Sequence, residues 1–99
     1  MAQSVQSSGL LAATAGTTLR TGAALLHGVT LLQAAASAEI TIYDSTAVSG
    51  TVVANIKNGV NASSVSESYG PPVACSTGLH YVLTGAGAEA VIRYEKLAL

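Results

Sequence analysis

Tryptophan and phenylalanine are missing from this sequence, cysteine occurs once, and only nine of the 99 residues carry a formal charge. Each shortage excludes something. With Cys75 alone there is no internal disulfide, so the fold must stand on packing and hydrogen bonds, and the expected place of Cys75 is as a small buried apolar residue. Two isolated histidines and one cysteine fall short of the clustered ligands of a zinc site, and no acidic cluster of the calcium type occurs, so no cofactor or metal is expected. The cations are Arg20, Lys57, Arg93 and Lys96 and the net charge is -1. That balance leaves no basic patch for nucleic acid or an anionic membrane, and neither is expected as a partner.

A long apolar run is also lacking. Residues 21–38 are free of formal charge, but Gly22, His27, Gly28, Thr30, Gln33 and Ser37 interrupt them, leaving too little apolar content for a membrane span. Ala36-Ser37-Ala38 imitates a cleavage site without a compact basic region before it, so the chain is read as cytoplasmic and uncleaved.

What the sequence does have is small and hydroxylated: 21 residues are Ser or Thr and 18 are Ala. A surface of that kind sheds few hydrated ions on contact, which favours a protein packed into an assembly. A chain this long makes one domain, burying roughly 65% of its unfolded surface.

The clearest structural signal runs from Gly78 to Glu95. Leu79, Tyr81 and Leu83 alternate with His80, Val82 and Thr84, then Gly85-Ala86-Gly87 turns the chain. Beyond it Ala88, Ala90, Ile92 and Tyr94 alternate with Glu89, Val91, Arg93 and Glu95. The pattern predicts a hairpin of two half-buried strands. Glu39–Asp44 alternates with Ile40 and Ile42 inward, and Thr51–Ile56 returns as its antiparallel partner after a turn-rich connection. Leu25–Gln33 fits helix or strand. Strand is preferred because Gly28, Val29 and Thr30 are poor helix formers. The Ala34–Ala38 run then reads as a loop or a single helical turn. Lys57-Asn58-Gly59 is expected to turn, and Val60–Ser68 to be an edge strand or long loop. Tyr69-Gly-Pro-Pro-Val73 cannot be a central strand, since proline donates nothing to a ladder, and it reads as a rim crossing. Lys96–Leu99 is a short tail.

Residues 1–16 have no charge and no sustained period, the composition of an arm rather than a core element. The expected organisation is therefore an N-terminal arm, 1–16, and one domain, 17–99. The class is all-β: a small antiparallel β-sandwich or β-barrel. Such an arm is ordered only when something holds it, and its apolar residues Val5, Leu10 and Leu11 are the expected partner contacts.

Catalytic patterns are weak. Gly85-Ala-Gly-Ala-Glu-Ala90 matches a dinucleotide fingerprint, but that motif needs a following helix and parallel strand, while residues 88–95 alternate as a strand. His27, His80 and Asp44 lack a strained nucleophile turn to complete a triad. Asp44 is read as opening a turn and each histidine as a half-buried strand residue. No enzyme is expected.

The ordered segments Ala24-Leu-Leu-His-Gly-Val-Thr30, Ile42-Tyr-Asp-Ser45 with Gly50-Thr51-Val52, Cys75-Ser-Thr-Gly-Leu79 and Thr84-Gly-Ala-Gly-Ala-Glu89 resemble those of small virion proteins of tailed bacteriophages. The resemblance covers about residues 19–94 and transfers no functional residue. It implies a β-sandwich or β-barrel, made in the host cytoplasm and built into the virion. As a capsid decoration (cement) protein it would contact the major capsid protein and copies of itself, as a dimer or trimer. The alternative it leaves is a neck, tail or fibre component, including a receptor- or sugar-binding module using Tyr43, Tyr69, Tyr81 or Tyr94 as a stacking platform.

Overall fold

Period-two alternation dominates the chain, and strands are what it forms. The structure is a computed structural model that describes residues 5–32 and 36–97. The strands are β1 (Gln6–Ser7), β2 (Leu11–Ala12), β3 (Thr14–Thr21), β4 (Ala24–Leu31), β5 (Ala38–Asp44), β6 (Thr51–Asn58), β7 (Val65–Cys75), β8 (Gly78–Thr84) and β9 (Glu89–Lys96). Among the described residues there is no helix. One antiparallel sheet runs β1-β9-β4-β7, with β2 following β1 along β9; the other runs β3-β8-β5-β6. Among the described residues no strand pairs across the two, so the architecture is a sandwich rather than a barrel.

A single hydrophobic core lies between the sheets. Leu26, Val29 and Leu31 of β4 and Ala90, Ile92 and Tyr94 of β9 enter from one side. Ile40 and Ile42 of β5, Ile56 of β6, and Leu79, Tyr81 and Leu83 of β8 enter from the other. The inward sets that alternation predicts for β5, β8 and β9 are the observed ones.

The predicted hairpin is not one. β8 pairs β3 and β5, whereas β9 pairs β4, β1 and β2, so the turn at Gly85-Ala86-Gly87 carries the chain from one sheet to the other. Alternation marks which side chains are buried, not which backbone takes the hydrogen bonds, and an arch over the core has the same pattern as a hairpin. β5 and β6 are the hairpin that the sequence predicts, paired from Ala38↔Asn58 to Asp44↔Thr51 with one register shift between Ile42 and Tyr43.

β4 confirms the preference for strand over helix at Leu25–Gln33, but with a changed phase; Gln33 lies outside the described residues. Both of its ladders shift register between Leu26 and Gly28: against β9 His27 is the extra residue of a bulge, and against β7 the excess lies on β7, whose residues 69–72 stand opposite His27. That bulge lets Leu26 and Val29 both point inward and turns Leu25 outward. Gly28 is required there because a Cβ would meet the Glu67 carbonyl at 2.8 Å and the Arg93 guanidinium. The turn after β6 also moves: the strand runs through Asn58, and Asn61, at φ 53°, takes the left-handed position in place of Gly59. β7 is an edge strand that pairs β4 on both sides of its prolines, while residues 69–72, within the segment read as a rim crossing, have no register partner on β4. Lys96 belongs to β9, and Leu97 N–H donates to the Ala23 carbonyl, so the tail begins as paired chain. Of the Ala34–Ala38 run, Ala34 and Ala35 lie outside the described residues, and Ala38 opens β5.

Of the segment expected as an arm, Gln6–Ser7 pairs Arg93–Tyr94 and Leu11–Ala12 pairs Glu89–Ala90. Ser8 clamps the same edge twice, its N–H donating to the Ile92 carbonyl at 2.8 Å and its hydroxyl accepting from Ile92 N–H at 2.9 Å. Thr14–Gly16 belong to β3, so position 16 falls inside a strand. Leu11 packs against the core while Val5 and Leu10 stay exposed. Removing residues 1–12 should therefore destabilise the sandwich by about 1–2 kcal/mol, the half-buried Leu11 and the edge hydrogen bonds being largely offset by the entropy of ordering the segment. A drop of roughly 5–10 °C in melting temperature is expected. An unchanged melting temperature would show that this pairing adds nothing to the fold.

Candidate functional site

The charged residues are so few that their placement is the natural place to look for chemistry. Most are engaged within the sandwich. Arg20 bridges the two sheets' connections, donating to the Ala23 carbonyl at 3.2 Å and the Leu97 carbonyl at 2.9 Å. Arg93 lies over the β4 bulge, donating to Thr30 Oγ1 at 3.1 Å and the Glu67 carbonyl at 3.3 Å. On the same outer face the His27 imidazole, which the bulge turns outward, meets Glu95 Oε1 at 3.0 Å. Glu39 accepts from Asn55 at 2.8 Å, and Glu67 from the Tyr69 hydroxyl at 3.1 Å.

Asp44 is not the local turn opener that its sequence position suggests, for its donors lie 32 to 34 residues away. Its carboxylate accepts from the N–H groups of Ser76, Thr77 and Gly78 at 3.2, 2.9 and 3.2 Å. It therefore pins the end of β5 to the turn that carries the chain from β7 to β8. Burial pushes the Asp44 carboxyl up, but the backbone hydrogen bonds outweigh it and hold the group below its ordinary value. A carboxyl whose folded value is depressed contributes stability above its unfolded value, ~3.9, and loses it as the pH falls through the folded value. Asp44→Ala should cost about 1–2 kcal/mol at neutral pH, since three amides lose their acceptor in a turn that water partly reaches. The difference in melting temperature between wild type and variant should shrink between pH 5 and pH 2. A difference that stays constant over that range would remove Asp44 from this role.

The three residues of the rejected triad are not assembled. His27 sits on the outer face of β4 with Glu95 and Asp44 caps the β7–β8 turn. His80 is buried in β8, its Nδ1 2.8 Å from Thr18 Oγ1, which donates onward to the Thr46 carbonyl at 3.2 Å. Thr18 Oγ1 links the imidazole to the loop that carries Thr46. Both histidines thus have structural partners. Cys75 is buried as expected, and burial, with the Asp44 charge nearby, pushes its thiol up to about 11, away from the thiolate that nucleophilic chemistry needs. Among the described residues no three His, Cys, Asp or Glu side chains come together as a metal site.

The tyrosines do not form a platform. Tyr81 and Tyr94 are core residues, and half-buried Tyr43 and Tyr69 belong to different sheets. Tyr69 is pushed up to about 12, first by burial and then by Glu67, so its phenol remains a hydrogen-bond donor.

A depression of about 400 Å³ lies at one end of the β3-β8-β5-β6 sheet, lined by Ser37, Ala38, Glu39, Lys57, Asn58, Gly59 and Thr84. It holds one acid and one base and no nucleophile beyond hydroxyls. Its Asn58 amide is already committed, donating to the Ser63 carbonyl at 2.9 Å.

What the surface does offer is edges and exposed aliphatic side chains. Val5, Leu10, Val48, Val52 and Val60 are the large apolar residues left in solvent among the described residues. Of the three expected partner contacts, Val5 and Leu10 are among these, and Leu11 is half-buried against the core. No signal short of the three-dimensional structure identifies Val48, Val52 and Val60, because each lies in or beside a turn whose packing the alternation does not specify. No protein-family model matches the chain, and no curated protein is similar to it.

Proposed function

We propose that this chain is a non-enzymatic structural virion protein of the capsid-decoration type, binding the major capsid protein shell and stabilising it. The observation that carries the reading is the use made of the charges. Arg20, Glu39, Asp44, Glu67, Arg93 and Glu95 are each engaged by partners of the same chain, on its outer faces and connections. The surface is left mainly to hydroxyls, alanines and exposed valines, a surface cheap to desolvate against a protein neighbour. The ordered segments that resemble phage virion proteins supply the kind of neighbour. Val5 and Leu10, exposed beside the β9 edge, are the contacts assigned to the shell. A standard interface hides on the order of 1,600 Å², and symmetry multiplies modest contacts over many copies.

The test is occupancy. Particles assembled without the protein are mixed with wild type or with Val5→Ser/Leu10→Ser, and bound copies are counted by quantitative mass spectrometry. Hundreds of copies per particle, reduced by the double variant without a fall in melting temperature, are the expected result. A few dozen copies or fewer would place the protein at the neck, tail or fibre, and no binding would end the virion reading.

A further inference from the structure

Among the described residues four strand edges bound the two sheets, and three of them are blocked. β7 carries Pro71 and Pro72, which cannot donate to an added strand. β1 and β2 are two residues each and are separated by Gly9 at φ 74°. β3 shifts register twice against β8, and its Thr14 and Thr17 hydroxyls bond each other at 2.9 Å. β6 is different. It runs eight residues without proline, its one charge is Lys57, and its register shift lies near Val53, leaving Ala54–Asn58 in unbroken register with β5. In an antiparallel ladder alternate residues bond the same neighbour, so half of β6 directs its N–H and C=O groups away from β5.

We propose that β6 is a pairing edge for a second copy of this chain, joined antiparallel across a two-fold axis beside Ile56, so that two four-stranded sheets become one of eight. An axis normal to the sheet keeps the faces of both copies aligned, so one residue must stand opposite its own equivalent. Ile56 is the position that pairs the whole regular stretch with itself, Ala54 against Asn58 and Asn55 against Lys57. An axis beside Lys57 would oppose like charges, and one beside Asn55 would run Lys57 into the irregular Val53. In the Ile56 register Lys57 of one copy stands opposite Asn55 of the other, whose amide holds Glu39 Oε2 at 2.8 Å, so each lysine is set beside the second copy's acid as well as directly across from its own Glu39. The dimer rests on this edge and not on the virion reading; the experiment uses isolated protein, so either can fail alone.

Light scattering across a concentration series should give a dimer for wild type. Hydrogen exchange should show that protection of the outward amides within 54–58 rises with concentration while the core of β4 and β8 is unaffected. Lys57→Glu, at an exposed position, should weaken the dimer roughly tenfold or more by setting two carboxylates against each other. Combining it with Glu39→Lys should restore most of the affinity. Should Lys57→Glu fold poorly, the wild-type exchange pattern decides the matter. A wild type that stays monomeric, concentration-independent exchange in β6, a dimer indifferent to Lys57→Glu, or no rescue by the double variant would each overturn the proposal.

Discussion

Ile42→Asp should abolish the cooperative fold. Ile42 is 1% exposed, in β5, a strand with neighbours on both sides: Tyr81 of β8 and Ala54 of β6 stand directly across from it. Replacing it removes a fully buried aliphatic side chain, worth about 1.5–3 kcal/mol, and puts a carboxylate where no donor waits. The effective cost of burying one unpaired charge is itself several kcal/mol, and a domain of this size has only about 5–15 kcal/mol in total. The two losses together reach that total. Ile42→Val, which keeps the face and removes one methylene, should cost about 0.5–1.5 kcal/mol and serves as the control. Circular dichroism melts and amide dispersion in a proton-nitrogen correlation spectrum distinguish the outcomes. A soluble Ile42→Asp protein with a sharp transition would mean that β5 presents its other face to the core.

The inward face of β5 is legible because Ile40 and Ile42 alternate with polar neighbours, and β8 and β9 are legible for the same reason. β3 is not. Its sequence, Thr-Ala-Gly-Thr-Thr-Leu-Arg-Thr, contains one strongly apolar residue, and as an edge strand it is mostly exposed, so nothing in its pattern separates it from the uncharged segment before it. β7 is hidden by its prolines, which an edge strand tolerates and a central strand does not. The β4 bulge leaves one signal, a glycine within an apolar strand pattern, and such a glycine marks a bulge or a close approach of backbone. Here it marks both, through His27 and the Glu67 carbonyl. Partition between the sheets cannot be read at all. β8 and β9 are adjacent in sequence and alternate alike, yet their backbones bond to different neighbours. For the same reason the hydrogen bonds of Asp44 are invisible: a carboxylate at the end of a strand suggests amides to cap, but the amides of Ser76–Gly78 arrive by topology. Among candidate site residues, Val5 and Leu10 stand out by their place in an uncharged segment. Val48, Val52 and Val60 need the packing of two turns, β5–β6 and β6–β7, to reveal their exposure.

Gly85→Ala should be the most damaging single methyl in the chain. Gly85 has φ +118°, a conformation almost closed to residues with a Cβ, and the strain of forcing one there is about 1–3 kcal/mol. The added Cβ would also overlap the Ser37 carbonyl oxygen and lie 3.0 Å from Ala38 Cα, backbone atoms that cannot rotate out of the way. Relief requires moving either the arch between the sheets or the start of β5, and each is tied down: Ala88 N–H donates to the Gly85 carbonyl at 3.1 Å, and Ala38 is 4% exposed and pairs Asn58. Strain and overlap together should cost about 3 kcal/mol or more, well beyond an ordinary surface substitution. Gly87, two residues on in the same turn, separates the two causes. Its φ is +72° and an added Cβ would meet nothing within 4 Å, so Gly87→Ala meets strain alone and should cost about 1–2 kcal/mol, and Gly87→Asn less. Equilibrium urea unfolding of the three variants reads the difference directly. Equal losses for Gly85→Ala and Gly87→Ala would mean that the arch does not press on Ser37, and the close approach of β5 to the β8–β9 crossing would have to be given up.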